Sequence, residues 1–476
     1  MSLRLYDTGT RSVRPLVPLR EGQVGVYVCG PTVQAAPHVG HLRSAVALDV
    51  LHRWLREQGL QVTWVRNVTD VDDKIIHDAA HDDEPWWALA TRQERAFEQA
   101  YAAVQVLPPT ATPRVTGSIS EIVALIETIV GKGHAYESDG DVYLAVRTVS
   151  SYGALSGQDL QALRSSGKTV AHGHTGAKRD PLDFALWKSA KPGEPSWPSP
   201  WARGRPGWHI ECSAMAVAHL GEEFDLHAGG VDLLFPHHEN EVAQSTCAGH
   251  AFARGWLHHG LVTVAGGAKM SKSDAATVTG VREVLRQVRP QVLRYALGAA
   301  HYRSPLVWSA QVLADAEAAY GRIETFVRNA RAALGEATAA GGASGAAWQE
   351  FASCLDDDLG VPQALAVVHT AVRTGNAQLA AGDLTALAPT LADLRRMLTV
   401  LALDPVEQWP STGGGELTAV VDELVALAVE ARAQARARKD WVQADALRDR
   451  LAAAGVVLED TSDGVRWRLA VPVAVP

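Results

Sequence analysis

Cysteine is scarce in this chain of 476 residues: Cys29, Cys212, Cys247 and Cys354 are all there is, and none forms a Cys-x-x-Cys pair. That excludes a disulfide framework and a zinc ribbon. No run of about eighteen apolar residues occurs, so no transmembrane helix is expected. The opening MSLRLYDTGTRSVRPL has no apolar signal core, and a cytoplasmic location without membrane association is expected. Basic residues are in the minority, 44 Lys and Arg against 53 Asp and Glu for a net charge of −9. A surface basic throughout is therefore disfavoured, although a local basic patch could still bind nucleic acid. Gly-x-x-x-x-Gly-Lys-Ser/Thr and a complete Gly-x-Gly-x-x-Gly after a strand are missing as well, which removes the common phosphate-cradling loops.

What is present alternates strand and helix. An apolar β-rich run at 24–29 leads to helical spacing near 39–58, then to the strand QVTWVRNVTD and the helical DDKIIHDAAHD. A second piece of this kind starts at Trp208, with WHIECSAMAVAHLG as helix, EFDLHAGG as strand and turn, PHHENEVAQSTCAG as helix and WLHHGLVTV as strand. This rhythm predicts an α/β fold with a parallel sheet. Between the pieces, about 110 to 205, lie a helix (EIVALIETIVGKGHAY), a hairpin signal at Ser138-Asp139-Gly140 and a Trp/Pro-rich tail, the composition of an insertion splitting one domain. From about 280 the chain is helical, broken by glycine-rich stretches at 335–347 and 409–415, and it ends in the alternating VRWRLAVPV, a short strand. A chain of this length calls for roughly two to four domains.

Three stretches carry chemistry. FPHHENEVAQ sets His237 and Glu241 at i and i+4, on one helix face, with His238 and Glu239 pointing elsewhere on the wheel and Pro236 suited to the first helical position. With the thiols of Cys29 and Cys212 they would make an ordinary zinc ligand set, whereas alone they read as a packed or solvated pair. Cys247 reads as a small buried hydrophobe, and Cys354 belongs to the helical region. PHVGH places His38 and His41 around Gly40 at a strand-to-helix junction, where free N–H groups suit an anion; two surface histidines are the plain alternative. AKMSKSDAA carries Lys269 and Lys272 in a loop able to neutralise a polyphosphate, or merely a solvated one.

Together these stretches resemble the class I aminoacyl-tRNA synthetases: HVGH is a variant of the family's HIGH, and KMSKS matches letter for letter. Within that class the resemblance narrows to the cysteinyl-tRNA synthetase family and covers nearly the whole chain. YVCGPTVQ…PHVGH, RNVTDVDDKI, KPGEPSW, GRPGWHIECSAM, DLLFPHHENE, KMSKS and ADALRDRL carry it. Two departures stand out: KMSKS is followed by DAA rather than Leu-Gly-Asn, and Ala228-Gly229-Gly230 replaces a triple glycine.

The resemblance implies one Zn2+ per chain on Cys29, Cys212, His237 and Glu241, reading the substrate thiolate. It implies Gly30, Thr69, Trp208 and Asp232 around L-cysteine, and His38, Gly40, His41 and Lys272 around Mg2+-ATP, with His38, His41, Lys269 and Lys272 catalytic. Thr69 and Asp72 have helix capping as their structural alternative. Zinc binds a thiolate far better than a hydroxyl, so rejection of serine would need no editing domain. The expected architecture is a split Rossmann-like catalytic domain (1–110 and 206–265) with an insertion (111–205), a KMSKS loop and stem-contact region (266–310), a helical bundle (311–408) and an anticodon-binding domain (416–476).

The expected partner is tRNA(Cys), bound by a monomer. Residues 431–450 fit it, with Arg432, Arg436, Arg438, Lys439, Arg448 and Arg450 against three aspartates, and with Trp441 and Trp467 for stacking. The rival expectation is the cysteine ligase of mycothiol biosynthesis, which couples cysteine to an amino sugar–inositol and typically stops before such a tail.

Overall fold

A computed structural model describes residues 3–159, 178–264, 279–335, 345–409, 415–461 and 464–469. Among the described residues no helix is long and apolar enough to cross a membrane. The chain opens with a hairpin, β1 (Arg4–Asp7) and β2 (Ser12–Pro15). Then come β3 (Gln23–Val28), α1 (Val39–Glu57), β4 (Gln61–Arg66), α2 (Asp73–His81) and α3 (Trp86–Ala103). After the insertion the same sheet resumes with α5 (Trp208–Leu220), β9 (Glu223–Gly230), α6 (Glu239–Ala248) and β10 (Phe252–His259), the insertion itself supplying α4 (Ile119–Gly131) and β5 to β8.

The sheet order is β10-β9-β3-β4, parallel throughout. Alternation along β3 explains why both faces are covered. Val24, Val26 and Val28 pack with Leu48, Leu51, Trp54 and Leu55 of α1, while Tyr27 packs on the other face with Ile210 and Met215 of α5. All four strands therefore end on the same side, at Val28, Arg66, Gly230 and His259. In open α/β sheets ligands bind outside these carboxyl ends.

The insertion adds an antiparallel sheet in the order β5 (Ala135–Ser138), β6 (Asp141–Leu144), β7 (Phe184–Ser189), β8 (Gly204–Pro206). Its first hairpin turns where Ser-Asp-Gly predicted, with φ of 55° at Asp139 and 82° at Gly140, the left-handed pair of a tight two-residue turn. Asp73 of α2 pairs with Lys188 at 2.7 Å and with Arg205, fastening the insertion to the rim of the sheet.

The helices Ala310–Leu334, Ala346–Asp356, Val361–Ala381 and Leu384–Leu401 share one apolar cluster with the first face of the sheet. Arg294, fully buried, joins them by donating to Asp49 of α1 and to the carbonyls of Val104 and Leu401. Two further helices, Gly415–Ala437 and Trp441–Ala453, lead to an antiparallel pair, Val456–Thr461 with Gly464–Leu469. Arg436, Arg438, Lys439, Arg448, Arg450 and Trp441 are exposed there, but Arg432 is buried and leaves the expected basic face.

Candidate active site and metal centre

A cleft of about 490 Å³ opens at the carboxyl ends of the strands, and Cys29, Gly30, His38, His41, Trp208 and Asp232 line it. Gly40 lies on the same wall.

Cys29 follows β3 directly, and Cys212 lies on the first turns of α5. Their sulfurs are 3.7 Å apart. Glu241 Oε1 lies 3.5 Å from Cys29 Sγ and 3.1 Å from His237 Nε2. Four residues from three distant segments thus offer ligand atoms within 4.8 Å of one another. The i,i+4 pairing holds, but the helix starts later than Pro236 predicted. Phe235 is extended (φ −137°, ψ 130°), Leu234–His238 forms a wide turn, and α6 proper begins at Glu239.

Electrostatics fits a cation here. Cys29 donates a hydrogen bond that brings the Cys212 thiol down to about 6 against the pull of burial, while burial and then Cys212 push Cys29 up. Burial opposes charge on His237, yet Glu241 and Cys212 outweigh it and raise its pKa to about 10. A buried thiolate and carboxylate thus draw positive charge into the protein. Two thiols, an imidazole and a carboxylate are a donor set that zinc accepts.

Histidines that the sequence reading left aside surround this cluster. His227 Nε2 bonds the second oxygen of Glu241 at 2.8 Å, and His209 Nδ1 meets His237 Nδ1 at 2.9 Å. His238, expected to point elsewhere on the helix wheel, brings Nε2 within 3.3 Å of Cys29 Sγ, and its Nδ1 meets His258 Nε2 at 2.8 Å. Cys29, His227, His238 and Glu241 form a second, overlapping set of four within the same 4.8 Å. Such partners fix the orientation of a ligand. Asn67 was missed too. Its Oδ1 accepts the Gly30 N–H at 2.8 Å, and a Cβ on Gly30 would lie 1.6 Å from the Asn67 carbonyl oxygen, so only glycine fits.

Thr69 lies under the cleft floor rather than on it. Its hydroxyl donates to Glu211 at 3.0 Å, and Asp72, not Thr69, caps α2 through Lys74 N at 2.9 Å. Trp208 stands against His237 with ring centroids 4.3 Å apart. Asp232 folds over Gly230, whose Cβ would meet Asp232 Oδ1 at 2.4 Å. At the departure from the triple glycine, Ala228 is fully buried in the core, between β3 and β10. Cys247 is buried in the apolar core, as expected, and Cys354 lies on the helix Ala346–Asp356.

At the junction of β3 and α1, His38 Nδ1 accepts from Gly40 N at 3.1 Å and His41 Nδ1 accepts from His38 N at 3.2 Å. A ring nitrogen that accepts carries no proton, so each neutral imidazole bears its hydrogen on Nε2. The rings stack 3.8 Å apart. Thr279 and Val281 pair with the backbone of Val39 and Pro37. Lys269 and Lys272 themselves, and the side chain of Trp467, lie outside the described residues.

The model of the class I (C) tRNA synthetase catalytic domain matches residues 15–318. A DALR domain matches 350–403, and a cysteinyl-tRNA ligase anticodon binding domain matches 416–468. A cysteine–tRNA ligase of Streptomyces coelicolor is 53% identical over 98% of this chain and 76% of its own length. That of Streptomyces griseus is 51% identical over 98% and 99%. Among solved structures, a Mycobacterium tuberculosis methionyl-tRNA synthetase in complex with methionyl-adenylate shares the fold, with a TM-score of 0.59 at 14% identity over 82% of this chain and 92% of that one. By fold, by cluster and by these likenesses, the chain belongs to the cysteine–tRNA ligase family of the class I tRNA synthetases.

Proposed function

We infer that the chain activates L-cysteine with Mg2+-ATP and transfers it to the 3′ end of tRNA(Cys). One observation carries this reading: a buried thiol–imidazole–carboxylate cluster opens onto the same cleft as the stacked His38–His41 pair. Cys29, Cys212, His237 and Glu241 would hold zinc, which when bound supplies a thiophilic position that a thiolate joins and a hydroxyl fills poorly.

In the first step the cysteine carboxylate oxygen attacks the α-phosphorus, and the bond to the pyrophosphate oxygen breaks. The Nε2–H groups of His38 and His41 donate to the phosphate oxygens as charge gathers on them. Lys269 and Lys272 neutralise the departing pyrophosphate. Asp232 takes the substrate ammonium, Trp208 walls the side-chain pocket, and Gly30, whose N–H is held by Asn67, lines it beside them. Thr69 acts from beneath, through Glu211. In the second step a ribose hydroxyl of the terminal adenosine attacks the adenylate carbonyl and AMP leaves. Most of the acceleration comes from positioning and charge stabilisation.

In this reading 1–110 with 206–265 is the catalytic domain, 111–205 its insertion, 266–310 the KMSKS loop and stem-contact region, 311–408 the bundle and 416–476 the anticodon reader. The helices beyond residue 415 favour tRNA over an amino sugar as acceptor. Pyrophosphate exchange without tRNA tests the first step: cysteine supports exchange and serine does not. Equal exchange with serine refutes the thiolate-reading site.

A further inference from the structure

Two cations on the cleft wall have no part in the chemistry above. Arg66 ends β4, and its guanidinium lies 4.2 Å over the ring of Tyr101. Its stem rests against the Gly30 turn, since a Cβ on Gly30 would sit 3.4 Å from Arg66 Cγ. Lys74, exposed, stands in the first turn of α2. Both line the cleft.

Among the described residues neither cation has an ion-pair partner, and the nearby carboxylates are already engaged. Asp73 holds Lys188 and Arg205, Asp49 holds Arg53 and Arg294, and Asp70 accepts from Thr116. Asp72 accepts the backbone N–H of Lys74 rather than its ammonium. A half-buried guanidinium held flat on an aromatic ring keeps its fork of donors in one plane, suited to a phosphate.

The location selects between the two anionic substrates. The described nucleotide groups, His38, Gly40 and His41, belong to the start of α1, which follows β3. Arg66 and Lys74 belong instead to the end of β4 and to the helix after it, on the side of the cleft that the insertion grips through Asp73. We propose that Arg66 and Lys74 form the receiving site for the phosphodiester backbone of the single-stranded tRNA 3′ terminus. This rests on the tRNA-charging reading above.

Arg66→Met, which keeps an apolar stem on Tyr101, and Lys74→Gln, at an exposed position, test it in the full-length enzyme. Charging is measured against tRNA(Cys) concentration at several salt concentrations, alongside exchange without tRNA, which also reports folding. Each substitution should raise KM for tRNA roughly tenfold and affect exchange far less. The slope of log kcat/KM on log salt should become shallower by about 0.7 for each cation removed. Unchanged tRNA KM and salt slope overturn the proposal. So does an equal rise in KM for ATP during exchange, which would assign the cations to the triphosphate. Failure of the wild-type enzyme to charge tRNA(Cys) would overturn the functional reading and this site with it, whereas unaltered variants of a charging enzyme overturn the site alone.

Discussion

A carboxylate and a thiolate buried side by side repel unless something positive lies between them, and breaking such a set leaves charge uncompensated. That makes Cys212 the residue whose loss should be felt twice. Cys212→Ser is expected to lose bound zinc, measured by metal analysis, together with cysteine-dependent exchange. Cys247→Ser, in the apolar core, should keep both. Full metal retention in Cys212→Ser would remove it from the ligand set. A second residue-scale expectation concerns acid stability. His52 stacks on Trp64 with centroids 4.6 Å apart and is 5% exposed. Burial lowers its pKa to about 4, with Arg56, Arg53 and Arg66 adding to the effect and Asp49 opposing it. Its ordinary value is about 6.5, so the unfolded chain takes up the proton first as pH falls. Its contribution, about 3 kcal/mol, is complete above pH ~6.5 and is lost by pH ~4. Urea unfolding across this range should show a flatter pH dependence in His52→Phe than in the wild type; parallel curves would contradict the assignment.

At the scale of elements, the alternation of apolar strand and amphipathic helix was legible because each strand of the parallel sheet is covered on both faces. Val26 and Tyr27 face opposite cores, and both are buried. The hairpin at Asp139-Gly140 was legible because only a few residue types accept its backbone. The wide turn before α6 was not, since Pro236 is equally at home at a helix start and after an extended residue. For the same reason His238 was misplaced: wheel geometry holds only where the helix is regular. The four expected zinc ligands do converge, but their ring of histidines was invisible because these residues meet across strands, with no fixed spacing to betray them. A signal existed for Asn67: it follows directly on β4, at the sheet end where ligands bind. Beyond Lys272 in the chain, Thr279 and Val281 pair with the backbone of Val39 and Pro37 at the start of α1. Lys272→Ala should slow adenylate formation by orders of magnitude in single-turnover assays with little change in cysteine affinity, since its contact forms in the transition state. Collapse of cysteine binding with an intact chemical step would contradict that role.

At the scale of the whole molecule, one apolar cluster runs from the sheet through α1 into the helices up to Leu403, reinforced by Arg294 bonding three segments at once. On and between the helices beyond residue 415, Arg436, Arg438, Lys439, Arg448 and Arg450 are exposed. Truncation before Glu416 should therefore leave exchange largely intact while charging falls steeply through weaker tRNA binding, with a shallower salt dependence. The measurement that reaches the central claim most directly sets two acceptors against each other with the full-length zinc-loaded enzyme: tRNA(Cys) and an amino sugar–inositol, each with cysteine and ATP. The account predicts cysteinyl-tRNA(Cys) as the product and no amide with the sugar; coupling to the sugar without charging of the tRNA would contradict it.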